Sequence, residues 1–179
     1  MAITKKLTEI FRRYLPDDET RCILDAGHDL SLRMHPSKES PERVEIEMTF
    51  DFHVEDSFLH RVEADLRQCY GLRSVWIFPH FPPQLFSLER MREITDEAVR
   101  IGAITRGFFE GVSYTDDGET VTAELLYDEN GVSLLESRHT SDILSQILFS
   151  RYGVVRKMVL RPSAQLAFYM QERERAREE

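Results

Sequence analysis

Apolar and polar positions along the chain keep two periods, one near 3.6 residues and one of two, and the switches between them outline the elements. Residues 3–15 predict a short amphipathic helix: Leu7, Ile10, Phe11 and Tyr14 recur at helical spacing, and Pro16 ends the pattern. Residues 21–25 and 29–34 predict a short strand pair that turns at Ala26, Gly27 and His28. A charged turn holding Pro36 and Pro41 leads to the clearest strand. There Val44, Ile46, Met48, Phe50 and Phe52 alternate with Glu45, Glu47, Thr49 and Asp51. Residues 55–70 return to helical period, with Phe58, Val62, Leu66 and Cys69 on one face, Asp56 as N-cap and Gly71 as stop. Residues 72–81 predict a strand holding Val75, Trp76, Ile77 and Phe78.

Pro82 and Pro83 interrupt the pattern and mark a domain boundary. Ser87 caps a predicted helix over 88–101, with Leu88, Met91, Ile94, Ala98 and Ile101 along one face. Residues 105–111 predict a further helical turn. Asp116, Asp117 and Gly118 signal a turn before a strand over 119–127, in which Val121, Ala123, Leu125 and Tyr127 alternate with polar neighbours and Leu126. Asn130 opens a helical stretch to Tyr152, broken or bent across 137–142, and Gly153 ends it. Residues 154–160 predict a last strand, stopped by Pro162; Ser163 begins a final helix that decays into alternating Glu and Arg. The second half repeats the strand–helix–strand theme of the first without a repeat visible in the sequence. The expected fold class is α+β: two small mixed α/β domains over 1–82 and 83–163, then a charged helical tail or linker over 164–179.

Composition narrows the function. Thirty-two acidic against 23 basic side chains give a formal net charge of −9, which repels phosphate at long range and makes nucleic-acid binding the less expected role. Two cysteines, Cys22 and Cys69, predict reduced thiols, with Cys69 in the core. No stretch approaches the roughly 20 apolar residues of a membrane span, and the first 14 residues lack a signal-peptide core. A soluble, cytoplasmic protein is expected.

Motifs for chemistry are missing: there is no phosphate-binding glycine loop, HExxH, Cys-x-x-Cys or Gly-x-Ser-x-Gly. No cofactor, metal or small-molecule substrate is therefore expected. Asp51 and His53 would share a strand face, and Glu45 and Glu47 lie on the same polar face. A solvated sheet surface explains them better than a metal or acid–base site. Gly107 and Gly111 form a Gly-x-x-x-Gly that a soluble chain has no need of. Trp76, Phe78, Phe81 and Phe86 make an aromatic run at the domain boundary, either junction filling or a protein interface. Arg151, Arg156, Lys157 and Arg161 cluster at the last strand, either guarding an edge or touching phosphates.

Two stretches then acquire a likeness. RVEIEMTFDFHVEDSFLHRVEADLRQCYGLRSVWIFPHF (43–81) resembles the first N-terminal domain of PolC-type DNA polymerase III of low-GC Gram-positive bacteria. GETVTAELLYDENGVSLLESRHTSDILSQILFSRYGVVRKMVL (118–160) resembles the second. The likeness covers about 3–162 and rests on order, spacing and texture rather than on a catalytic signature. It implies a first domain similar to the polymerase-binding domain of the clamp-loader tau subunit and a second similar to a truncated KH fold. It further implies a non-catalytic region that docks replisome proteins such as tau, ahead of OB, PHP, exonuclease and polymerase modules that this chain lacks. A nucleic-acid-binding KH domain needs a Gly-x-x-Gly clamp, and none occurs here, so protein docking is expected first. A single-stranded nucleic-acid-binding module is the alternative, and a small stand-alone enzyme the second alternative.

Overall fold

The computed structural model describes residues 5–35, 43–104 and 106–163. The chain divides into two units, Met1–Leu85 and Phe86–Glu179. The division falls just beyond the expected boundary at Pro82, because Pro83–Leu85 form a 3-10 turn that stays with the first unit. Each unit carries its own three-stranded mixed sheet, so the α+β class holds. The expected C-terminal helical tail lies outside the described residues.

Unit 1 runs α1 (Leu7–Ile10), α2 (Asp18–Ala26), β1 (His28–His35), β2 (Arg43–Thr49), α3 (Asp56–Tyr70) and β3 (Ser74–His80). The helix expected over 3–15 shrinks to one turn. Leu7, Phe11 and Tyr14 are buried all the same, since Phe11 leaves the helix and packs edge-on against Tyr70 at 5.3 Å, whereas Ile10 is half-buried and Leu15 exposed. Residues 21–25 are helix, not strand. Asp17 caps α2, its Oδ1 accepting from the Thr20 N–H at 2.8 Å, and Asp18 and Glu19 suit the positive helix start. Local capping thus overrides a weak strand signal.

β2 pairs antiparallel with β1 and parallel with β3. The alternation predicted for β2 holds as far as Phe50. Val44, Ile46, Met48 and Phe50 are buried, while Phe52 lies beyond the strand and is exposed. Leu59, Val62 and Leu66 of α3 share this core. The predicted face is rotated by one position, so Leu59 replaces Phe58, and Cys69 is only half-buried. Glu55 rather than Asp56 is the N-cap. Edge strand β3 is guarded from above: the Ile77 N–H donates to Oε1 of buried Glu63 at 2.6 Å. Glu63→Ala leaves that amide without this acceptor, and a loss of about 1–3 kcal/mol is expected in chemical denaturation.

Unit 2 runs α4 (Met91–Arg100), β4 (Ser113–Asp116), β5 (Thr120–Leu125), α5 (Glu129–Glu136), α6 (Thr140–Tyr152) and β6 (Lys157–Pro162). The helix expected from Ser87 begins instead with a 3-10 turn, Leu88–Arg90, and the Ser87 side chain makes no cap bond. β4 is an element that periodicity missed, four residues long. It forms a hairpin with β5 through the predicted turn, where Asp117 Oδ1 accepts from the N–H groups of Glu119 and Thr120. Asp128, not Asn130, caps α5. The predicted break falls at 137–139, with His139 at φ 56. β6 starts later than expected, at Lys157, and Pro162 is its final residue rather than its stop.

The two units repeat one design more closely than the sequence suggested. Each has a hairpin, a helical crossover and a third strand parallel to the middle one. Leu66 to Gly71 and Leu148 to Gly153 both read Leu-x-x-x-Tyr-Gly; both leucines are fully buried, and both glycines end their helix with a left-handed turn. Val44, Ile46 and Met48 pair with Val75, Ile77 and Pro79. Val121, Ala123 and Leu125 pair with Met158, Leu160 and Pro162, so a proline stands at the same register near the end of the third strand in both. About two helical turns before each glycine a polar side chain accepts from an edge-strand N–H: Glu63 from Ile77, and Ser145 from Met158 at 3.0 Å. Each tyrosine also anchors the preceding segment. The Arg13 N–H donates to Tyr70 Oη at 2.8 Å, and Tyr152 Oη donates to Glu93 Oε2 at 2.7 Å.

Candidate functional site

In unit 1 the outward face of the sheet gathers the sequence's polar and aromatic alternation. The register places Arg33, Glu45 and Trp76 in one row, and Ser31, Glu47 and Phe78 in the next. The Arg43 guanidinium carbon stands 3.6 Å from the centroid of the Trp76 ring, and Phe78 meets Trp76 edge-on at 6.1 Å. Glu45 is the hub. Its carboxylate meets Arg43 at 2.7 Å, His35 at 3.1 Å and Arg33 at 3.7 Å. Burial by itself would raise this carboxyl, but the His35 hydrogen bond and the charges of Arg43, His35 and Arg33 outweigh it and hold it below its ordinary value of 4.5.

The sign of the pH dependence follows. A depressed folded-state value means that the ionised carboxylate stabilises the folded unit above about pH 4.5, and that this is lost as the pH falls through the lowered value. Glu45→Gln is expected to melt earlier than the parent at pH 7 and to lose less on acidification towards pH ~3. Thermal melts at both pH values check this.

The aromatic run does not form one patch. Trp76 and Phe78 lie half-buried on the outward sheet face. Phe81 is buried in the core, 6.3 Å from Phe50. Phe86 belongs to unit 2 and packs on Tyr152 at 5.6 Å. Strand alternation separates Trp76 and Phe78 from their neighbours, and the residues after β3 turn Phe81 inward.

The four cations around β6 separate as well. Arg151 is 3% exposed; its guanidinium pairs with Glu93 and Glu97, each at 3.1 Å. It lies on the α4-facing side of α6 and is a core ion pair, not a phosphate contact. Arg156 is tied to Asp116 at 3.1 Å. Lys157 and Arg161 remain exposed on the outward face of β6. Sequence spacing could not separate these cases, because the acidic partners lie 40 or more positions away.

The groups weighed for acid–base or metal chemistry face different partners. Asp51 meets His28 at 3.4 Å, Glu47 accepts from the Ser31 hydroxyl at 3.0 Å, and His53 packs against Phe81 at 5.2 Å. Gly107 and Gly111 have local roles. Tyr127 Oη donates to the Gly107 carbonyl, and Gly111, at φ 68, lies where a Cβ would strike the Leu126 side chain.

One feature was not anticipated. Phe149 near the end of α6 and Val155 just before β6 are 57% and 74% exposed. The helix turn that Gly153 closes lies between them, and Lys157 follows at the start of β6. Helical spacing over 130–152 puts Phe149 off the face that Leu144, Ile147 and Leu148 share, but spacing alone does not mark an off-face residue as a contact.

Among the described residues no helix is long and apolar enough to cross a membrane. No family model matches the chain, and no curated protein matches it. A solved structure of the PrgH periplasmic domain aligns at 12% identity and a TM-score of 0.23, over 74% of this chain. This chain spans 60% of that domain's length, and the likeness is too slight to carry a fold or a function.

Proposed function

We propose that this chain is a non-catalytic interaction region of a bacterial replicative DNA polymerase of the PolC type, acting in the cytoplasm by docking a replisome protein such as clamp-loader tau. The family part of this reading rests on the two sequence stretches that resemble the polymerase's N-terminal domains. The docking part rests on one observation: Phe149 and Val155 stand exposed at the same end of α6, beside basic Lys157. Large exposed apolar side chains rimmed by charge favour protein contact, and aromatics concentrate binding energy. On this reading the apolar anchor is the end of α6 rather than Trp76, Phe78, Phe81 and Phe86.

Two experiments separate the parts. The reading frame beyond Glu179 is expected to continue into OB, PHP, exonuclease and polymerase segments; a stop codon there contradicts the family reading. Purified tau is expected to form a saturable complex with the chain, and no complex at high micromolar concentration contradicts docking. The single-stranded nucleic-acid alternative is left with Lys157 and Arg161, since Arg151 and Arg156 are committed to carboxylates. Fluorescence anisotropy with single-stranded DNA at low salt is expected to stay flat, and a steeply salt-dependent rise would favour that alternative.

A further inference from the structure

The start of edge strand β1 is irregular. The ladder runs from His28 opposite Thr49 to Ser31 opposite Glu47, so three steps along β1 meet two along β2. Asp29 takes up the extra residue in a left-handed conformation, at φ 50. The chain is pinned on both sides of this bulge. Gly27 lies where a Cβ would strike the Met48 side chain, and Leu30 is buried. Between these anchors His28 and Asp29 carry exposed side chains.

The His28 ring stands between two carboxylates. Its Nδ1 is 3.0 Å from Asp29 Oδ2, and its Nε2 is 3.4 Å from Oδ1 of Asp51, which follows the end of β2. An ionised carboxylate only accepts hydrogen bonds, and both ring nitrogens donate only in the imidazolium. The neutral ring keeps one N–H and turns a lone pair on the other carboxylate. The Asp29 hydrogen bond, helped by Asp51, accordingly holds His28 above its ordinary value of 6.5 against the opposing effect of burial. Charged neighbours on the adjoining elements are engaged or further off. Asp25 of α2 meets Thr8 and Lys6, Glu47 of β2 accepts from Ser31, and His80 of β3 lies one strand beyond Thr49.

We propose that His28 is a proton-operated clasp: protonated, it joins the bulged start of β1 to the segment leaving β2, and deprotonated, it lets that segment go. Asp51 is the partner released, because its contact is the longer one and Asp29 is the next residue in the chain. The pH dependence runs opposite to that of Glu45. A raised folded-state value means that the clasp contributes fully below about pH 6.5, and that this is lost as the pH rises through the raised value. The ring and both carboxylates are well exposed, so the clasp orders one end of an edge strand and leaves the core of unit 1 intact.

The test is an NMR pH titration of the full chain that follows the His28 ring and the amides of Asp29, Leu30, Asp51 and Phe52. His28 is expected to titrate above 6.5, and the four amides to shift with the same midpoint. Asp29→Asn and Asp51→Asn are each expected to bring the midpoint back towards 6.5. Asp51 is 83% exposed, so its variant should keep the parental far-UV circular dichroism, which separates loss of the clasp from loss of the fold. His28→Gln is expected to melt earlier than the parent at pH ~6 and level with it at pH ~9. A His28 midpoint at or below 6.5, amides of Asp51 and Phe52 that do not follow it, or a midpoint unmoved in both carboxylate variants would overturn the proposal.

Discussion

Arg151→Ala is expected to cost unit 2 about 3–5 kcal/mol, enough to unfold a marginally stable domain. The guanidinium is 3% exposed and bonds Glu93 and Glu97 on α4, while Tyr152 and Arg90 add their own bonds to Glu93. Removing the cation leaves two carboxylates without their shared counter-charge where water hardly reaches. Burial and the Glu93 carboxylate already drive the Tyr152 hydroxyl well above its ordinary value, so that proton stays in place to bond Glu93. Denaturant unfolding followed by far-UV circular dichroism measures the loss. The surface variant Lys157→Ala serves as the contrast, with an expected change within about 0.5 kcal/mol. Equal effects of the two would show that Arg151 does not tie α6 to α4.

The second large effect is a matched pair. Leu66→Ala and Leu148→Ala are each expected to cost about 2–5 kcal/mol. Both side chains are completely buried at the same place in the Leu-x-x-x-Tyr-Gly helix end, on the crossover helix that covers a three-stranded sheet. If the two units share one design, the costs should be alike and both should exceed that of Cys69→Ala, at a half-buried position of α3. Matching losses in denaturant titrations support the shared design. A near-neutral result at either leucine contradicts it.

Much of this architecture was legible along the chain. The alternation from Val44 to Phe50 and from Val121 to Leu125 identified the middle strand of each sheet, because a half-buried strand must alternate. Gly71 and Gly153 announced two helix ends through the left-handed turn that glycine permits at little cost. Short elements were harder. β4 has four residues, too few for a period to show, and its partner strand rather than its composition makes it a strand. Residues 21–25 carry an extended-strand pattern, and the Asp17 cap makes them helix. The shared strand–helix–strand theme shows in the pattern, but its residue-level match is hidden because unit 2 inserts α5 between its hairpin and its crossover helix, and because the shared positions become equivalent only in register.

The candidate sites were legible to a lesser degree for a different reason. A sequence names cations and aromatics but not their partners. Arg151 and Arg161 look alike in the chain, yet one is sealed against α4 and the other lies open on β6. Trp76 and Phe81 belong to one aromatic run, yet one lies beneath Arg43 on the sheet surface and the other packs beside Phe50.

Docking through the end of α6 is tested most directly by calorimetric titration of tau into the chain, its Phe149→Ser variant and its Trp76→Ala variant. The account predicts saturable binding by the parent. It also predicts a loss of about 2 kcal/mol, roughly thirtyfold in affinity, for Phe149→Ser, and near-parental binding for Trp76→Ala. Binding untouched by Phe149→Ser but abolished by Trp76→Ala would contradict it, as would the absence of any binding by the parent.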